Sequence, residues 1–153
     1  MDIFKNYMLV SGTGTSVHKL VSFDKALYSS GIQNYNLVRV SSILPCGCTE
    51  RFEIPLAGGS VLFSAIATVT SDKSGRISSA VGIGLPKDRS QPGVIMECSV
   101  YDTLDAAEAM VKEMVEESMA LRKTDIDVIK WKGATVEAVD SLYSTAFAAV
   151  VMW

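Results

Sequence analysis

Apolar residues recur along this chain in two rhythms. From Thr103 to about Leu121 the intervals are three and four: Leu104, Ala107, Met110, Val111, Met114, Val115 and Leu121, with Glu108, Lys112, Glu113, Glu116 and Glu117 on the other face. That is the period of a helix with one apolar stripe, and Thr103 is a residue type that caps a helix start. The methionines in the stripe read as packing rather than as a cofactor box. Elsewhere the apolar residues come in short runs bounded by turn residues. These predict strands over Tyr7–Val10, Leu37–Val40 (buried), Val61–Thr70, Arg76–Leu85, Gly93–Val100, Ile126 to about Val139 with an irregularity at Gly133, and Thr145–Trp153. Gly12-Thr13-Gly14-Thr15-Ser16 reads as a flexible turn, Cys46–Pro55 as a loop, and Asp72-Lys73-Ser74-Gly75 as a hairpin turn. Ser22 is a fitting N-cap for a short helix that turns Phe23, Ala26 and Leu27 inward and ends at Gly31. Small residues inside one strand, Ala80, Gly82 and Gly84, imply close backbone packing. Runs of strands with two helices and no β-α-β alternation predict an α+β fold, in a single domain over residues 1–153.

Composition narrows the function classes. A hydrophobic fraction of 48% in 153 residues fills a core and leaves apolar surface suited to packing against another copy of the chain. A net charge of −3 offers no basic field for a phosphate backbone, so nucleic acid is not an expected partner. The start, Met-Asp-Ile-Phe-Lys-Asn, lacks the pattern of a secretory signal, and the longest apolar stretches fall short of the ~20 residues that cross a bilayer. The expectation is a soluble, cytoplasmic protein. Three cysteines, Cys46, Cys48 and Cys98, give no disulfide framework, and the Cys-Gly-Cys spacing with no further ligands does not suit zinc. No metal is expected.

The single histidine, His18, sits in a Gly-rich, Lys-flanked stretch with no nucleophile elbow, which argues against a Ser-His-Asp hydrolase. Glu97 is a charged residue in the apolar run Val94-Ile95-Met96-Glu97; alternation can turn it to water, or it has a task. Asp24 falls in the first turn of the predicted short helix, where a carboxylate suits the helix dipole or, equally, a ligand. Ser41-Ser42 closes the strand before Ile43, Leu44 and Pro45, and a serine pair there can simply terminate a ladder.

The surroundings of that pair change the reading. Asn36-Leu37-Val38-Arg39-Val40-Ser41-Ser42-Ile43-Leu44-Pro45 resembles the self-cleavage segment of the pyruvoyl-dependent arginine decarboxylases. Ser22–Leu27, Gly31-Ile32, Ile77–Ala80, Leu85–Asp88, Gly93–Glu97 and Ala146–Ala149 resemble further landmarks of that family, in its order and across nearly the whole chain. The resemblance implies a multilayer sandwich of mainly antiparallel sheets flanked by helices, assembled as a homotrimer or dimer of trimers with active sites between protomers. It also implies self-cleavage into a β chain of residues 1–41 and an α chain of residues 42–153. Ser42 would become the pyruvoyl group and Ser41 the new C-terminus, with neither pyridoxal phosphate nor metal. Decarboxylation of an amino acid needs an electron sink at Cα, and a carbonyl forming a Schiff base with the substrate amine supplies one. The resemblance gives Glu97 the role of proton donor, Asn36 that of an amide donor near the cleavage site, and Asp24 that of partner to a substrate guanidinium, with Leu27 lining the same pocket. The acyl shift that begins cleavage is uphill, which predicts a strained backbone at the junction. The implied reaction turns L-arginine into agmatine and CO2. Gln33 and Tyr35 depart from the smaller residues expected beside that pocket, so a different amino acid is an alternative substrate; an unprocessed, non-catalytic trimer subunit is another reading.

Overall fold

In the computed structural model, which describes residues 4–153, the chain runs β1 (Asn6–Ser16), α1 (Lys19–Ser29), β2 (Asn36–Arg39), β3 (Ile43–Leu44), β4 (Thr49–Glu50), β5 (Val61–Ser71), β6 (Gly75–Pro86), β7 (Gly93–Val100), α2 (Leu104–Leu121), β8 (Ile126–Ala138) and β9 (Tyr143–Met152). One sheet has five strands in the order β2-β5-β9-β1-β4 and the other has four, β3-β7-β6-β8. All pairings are antiparallel except β1 with β4 and β2 with β5. Helix α1 lies on the five-stranded sheet and α2 on the four-stranded one, so the layers run helix, sheet, sheet, helix. This is the α+β fold that the sequence pattern predicts, with the sandwich layering that the resemblance implies.

The layering explains why the strands show little alternation. Along β9, Ala148, Val150 and Met152 face the gap between the sheets, where they meet Leu9, Ala65, Ala67, Val81, Ile83 and Ile95. The intervening Phe147, Ala149 and Val151 face α1, packing with Ala26, Leu27 and Ile32. A strand buried on both faces has no polar side to display, so its sequence is one apolar run. On the four-stranded sheet, Ala80 packs with Ala107 and Val111 of α2, and Val94 with Val115 and Met119. Gly84 has no room for a side chain there, since a Cβ would lie 2.7 Å from Val115 Cγ1. Thr103 caps α2 as expected, its hydroxyl accepting from the Ala106 N–H at 3.2 Å. The apolar stripe ends at Met119, and Leu121 is exposed.

Four expectations are corrected. The Gly12–Ser16 segment is strand, the second half of β1, paired with β9 from Gly12↔Phe147 to Ser16↔Tyr143. Its glycines answer to α1 rather than to a turn: a Cβ on Gly14 would sit 2.7 Å from the Ala26 N and 2.6 Å from Lys25 Cβ. Helix α1 starts at Lys19, not after Ser22, so Ser22 is a buried helical residue whose hydroxyl donates to the Lys19 carbonyl and meets Thr145 Oγ1 at 2.8 Å. Gly31 does end the helix region, in the left-handed conformation at φ 79°. The Asp72–Gly75 segment does not close a hairpin, because β5 pairs with β2 and β9 whereas β6 pairs with β7 and β8. It is a corner between sheets, pinned by Ser141 N–H to the Asp72 carbonyl and Ser74 N–H to Asp140 Oδ1. Finally, β2 is an edge strand and is largely exposed rather than buried.

The α1–β1 contact has a measurable consequence. Gly14→Ala forces a methyl group against helix backbone, and overpacking of this kind costs about 1–3 kcal/mol. We expect a Tm lower by roughly 3–10 °C on thermal unfolding. An unchanged Tm would mean that α1 is not seated on β1 as described.

Candidate active site

Parallel pairing of β2 with β5 runs from Asn36↔Val61 to Arg39↔Ser64, and the Val40 N–H still reaches the Ser64 carbonyl at 3.1 Å. The chain then leaves that sheet. Three residues on from Val40, Ile43 and then Leu44 pair with Val94 and Gly93 of β7 in the other sheet. The Ser42 carbonyl already belongs to this second ladder, accepting from the Ile95 N–H at 2.8 Å. The Ser41–Ser42 peptide is therefore the crossing between the sheets, tethered on each side by a different sheet, with Ser41 exposed and Ser42 half-exposed. The strain expected there is not visible in the backbone: among the described non-glycine residues, positive φ occurs at Lys123 and Ser141 only.

When β2 departs, it leaves the edge of β5 bare at Ile66. Two side chains fill the space. Arg39 Nη1 donates to the Ile66 carbonyl at 2.9 Å, and the Glu97 carboxylate faces the Ile66 N–H. Arg39 Nη1 and Glu97 Oε1 stand 3.9 Å apart. Glu97 is two residues beyond Ile95, whose side chain is buried between the sheets, so the period of a strand puts Glu97 on that inner face. Its ladder partner is the fully buried Val81. Glu97 therefore lies at the open margin of the inter-sheet gap, 40% exposed, and is not turned away to water as simple alternation allowed. Partial burial raises its pKa above the ordinary carboxylate value, while the Arg39 charge and the Ile66 N–H oppose the rise.

The remaining predicted site residues lie elsewhere in the chain. Asn36 is at the far end of β2, where its amide donates to the Gly59 carbonyl at 2.8 Å. Five residues of extended chain put it roughly 15 Å from Ser41. Asp24 is exposed and lies beyond the first turn of α1, so a favourable helix-dipole position does not account for it. Leu27, one turn further along the same helix, is 8% exposed and packs with Ala26, Ile32 and Phe147. Helix α1 covers the outer face of the five-stranded sheet, so a whole sheet separates this pair from the gap that holds Glu97. A single chain thus brings Ser41, Ser42, Arg39 and Glu97 together and keeps Asp24, Leu27 and Asn36 apart from them. Cavities of about 680 and 560 Å³ share Phe52 and Glu53 in their walls, and neither includes Ser42 or Glu97. Of the two departures from the expected pattern, Tyr35 turns its hydroxyl to the Ile54 and Leu56 carbonyls, pinning a loop. Gln33 is half-buried.

Arg39 meets Glu97 at this crossing, although its sequence position gave it no assigned role. Its signal was available: a cation inside Leu-Val-Arg-Val, one residue short of a serine pair, needs a partner. His18 is exposed at the start of α1, and no group of three or more His, Cys, Asp or Glu side chains gathers among the described residues. No helix among them is long and apolar enough to cross a membrane.

The family model described as "Pyruvoyl-dependent arginine decarboxylase (PvlArgDC)" matches residues 6–153. Among curated proteins, the pyruvoyl-dependent arginine decarboxylase of Methanopyrus kandleri is 33% identical over 153 residues, covering 100% of this chain and 99% of that protein. Proteins of the same name from Pyrococcus abyssi and Methanocaldococcus jannaschii are 36% and 35% identical, covering 97% and 95% of this chain and 95% and 87% of theirs.

Proposed function

The chain belongs to the pyruvoyl-dependent arginine decarboxylase family, and from that premise we propose that it converts L-arginine to agmatine and CO2 with a pyruvoyl group made from its own Ser42. The observation that carries the site assignment is the crossing itself: the Ser41–Ser42 bond bridges two sheets beside a glutamate whose pKa is raised by burial.

Cleavage follows from groups at that bond. Ser42 Oγ attacks the Ser41 carbonyl carbon, the C–N bond breaks, and an ester replaces the amide. Loss of the Ser42 Cα proton then expels the Ser41 carboxylate from Cβ, and the dehydroalanine left behind takes up water and releases ammonia as it becomes pyruvoyl. The Ser42 carbonyl oxygen is held by the Ile95 N–H throughout, so the new N-terminus stays on β7, two residues from the strand position of Glu97. A keto group at this place fits the residues present: the carbonyl beside it, that of residue 42, is fixed by the Ile95 N–H, and a proton donor stands at the margin of the inter-sheet gap in Glu97. The pyruvoyl group contributes a carbonyl that condenses with the substrate amine and accepts the electron pair left when CO2 departs. Burial keeps a larger share of Glu97 in its acid form near neutrality, which suits a group that returns a proton to the substrate Cα.

The site is assembled between protomers in this reading. Asp24, Leu27 and Asn36 do not reach Ser42 of their own chain, and β2, β3 and the start of β5 expose Val38, Ile43 and Val61 for a second copy to cover. A trimer, or a dimer of trimers, brings α1 and the start of β2 of one copy to the crossing of the next. Three free thiols fit a cytoplasmic setting. Arginine is favoured over another amino acid because a planar carboxylate at Asp24 matches a guanidinium with two parallel hydrogen bonds, and because Tyr35 is engaged with its own loop. Asp24→Asn is expected to raise KM for arginine about 10- to 100-fold while the chain still cleaves. Unaltered KM would remove Asp24 from the pocket. The activity itself is tested by release of agmatine and CO2 from arginine with no added cofactor, with lysine and ornithine as comparison substrates; turnover of either in preference to arginine would contradict the assignment.

A further inference from the structure

The Arg39 side chain crosses the same gap that the backbone crosses at Ser41–Ser42. One of its nitrogens touches both sheets: Nη1 donates to the Ile66 carbonyl on β5 and stands 3.9 Å from the Glu97 carboxylate on β7. Both side chains are substantially exposed, and an ion pair of that kind adds little to stability. Its effect on geometry is larger. A glutamate at the margin of a gap has three rotatable bonds and can swing out to water, and a guanidinium itself anchored on the Ile66 carbonyl favours the rotamers that keep the carboxylate beside it.

We propose that Arg39 is a positioning residue for decarboxylation, acting through Glu97: anchored on the Ile66 carbonyl, its guanidinium holds the Glu97 carboxyl toward residue 42. The inference rests on the family reading above and deepens it. Arg39 belongs to the 1–41 fragment, and Ile66 and Glu97 to the 42–153 fragment. The contact therefore survives cleavage as a bond between the two chains, and the smaller chain governs an acid carried by the larger one.

The same contact sets when Glu97 is protonated. Within the chain, the groups facing its carboxyl are Arg39 from β2 and the Ile66 N–H from β5; its neighbour on β6 is the apolar Val81, and Cys98 points to the opposite face toward α2. Burial favours the neutral acid and Arg39 favours the carboxylate. Removing the positive charge leaves burial opposed only by the N–H, so Glu97 holds its proton to higher pH.

The test uses Arg39→Met and Arg39→Lys. In single-chain protein carrying Ser42→Ala, the Glu97 carboxyl is titrated by carbon NMR, its resonance identified by loss in Glu97→Gln. The midpoint moves to higher pH in Arg39→Met and stays near the parent value in Arg39→Lys. In cleaved enzyme, Arg39→Met lowers kcat on the order of 10-fold with KM little changed, and the alkaline limb of kcat moves to higher pH; Arg39→Lys restores the limb. A midpoint that does not respond to Arg39→Met overturns the proposal. So does a rise in KM that matches the fall in kcat, which would place Arg39 on the substrate. Should the methionine variant not fold, Arg39→Gln removes the charge while keeping a donor for Ile66, and the same outcomes apply. Failure of the parent enzyme to decarboxylate arginine would count against the family reading and leave the titration as the test of this one.

Discussion

Ser42→Ala is expected to remain one chain of 153 residues and to release no CO2 from arginine. Both losses have one cause. In the proposed mechanism Ser42 Oγ is the nucleophile that attacks the carbonyl preceding it, and the same residue becomes the carbonyl on which turnover depends. The loss of activity is therefore not a graded factor but a fall to background, because a decarboxylase without an electron sink has no route around the Cα carbanion. The fold should not change. Ser42 is half-exposed, and what ties it into β7 is its backbone carbonyl, which alanine keeps. Stability within about 0.5 kcal/mol of an uncleaved parent is expected by thermal or denaturant unfolding. Cleavage of the variant at residue 42 would remove Ser42 from the reaction.

Glu97→Gln separates the two chemistries that share the junction. In the proposed mechanism cleavage needs the Ser42 hydroxyl and donors for the developing oxyanion, and turnover needs in addition a proton for the substrate Cα after CO2 leaves. Glutamine keeps the shape and hydrogen-bonding capacity of Glu97 but has no proton to give. Chain cleavage near the parent level, with decarboxylation lowered about 10²- to 10⁴-fold, is the expected pair of results, read by gel and CO2 release on the same sample. The pH profile carries the sign. Burial raises the Glu97 pKa, so the acid form persists above the ordinary carboxylate range, and kcat falls as pH rises through that raised value. Glu97→Gln abolishes that limb. Full activity in the variant would assign the proton to another group, and loss of cleavage would give the carboxyl a part in maturation.

The elements that the sequence made legible are those whose signals are local. Thr103 and the three-and-four spacing predicted α2 almost to the residue, because a cap and an amphipathic stripe belong to the helix that bears them. The apolar run of β9 was legible as strand for the same reason. What was not legible depends on residues far away in sequence. The composition of Asp72–Gly75 specifies a reversal of the chain, but whether β5 and β6 then pair is decided by β9 and β7, which claim them for different sheets. Gly12 and Gly14 look like a turn until α1 is laid across them. Ser22 looks like a cap because nothing nearby reveals Thr145, 123 positions on, as its hydroxyl's partner.

The site divides in the same way. Ser41-Ser42 and Glu97 were legible through the segments that carry the family resemblance, and the fold brings them to one crossing. Arg39 stood in plain view in the same segment, yet its partners are a backbone carbonyl on β5 and a carboxylate on β7, which only the three-dimensional arrangement supplies. Asp24 and Asn36 carry residue types suited to a guanidinium and an oxyanion, but within one chain they lie apart from Ser42, and only the assembly proposed above would bring them to it.

The intact mass of the purified protein under denaturing conditions tests the central claim most directly. Two fragments are predicted, one of residues 1–41 ending in an ordinary carboxylate and one of residues 42–153 lighter by one ammonia than a serine-started chain. A single uncleaved mass after prolonged incubation under native conditions, or a second fragment that retains serine at its start, would contradict it.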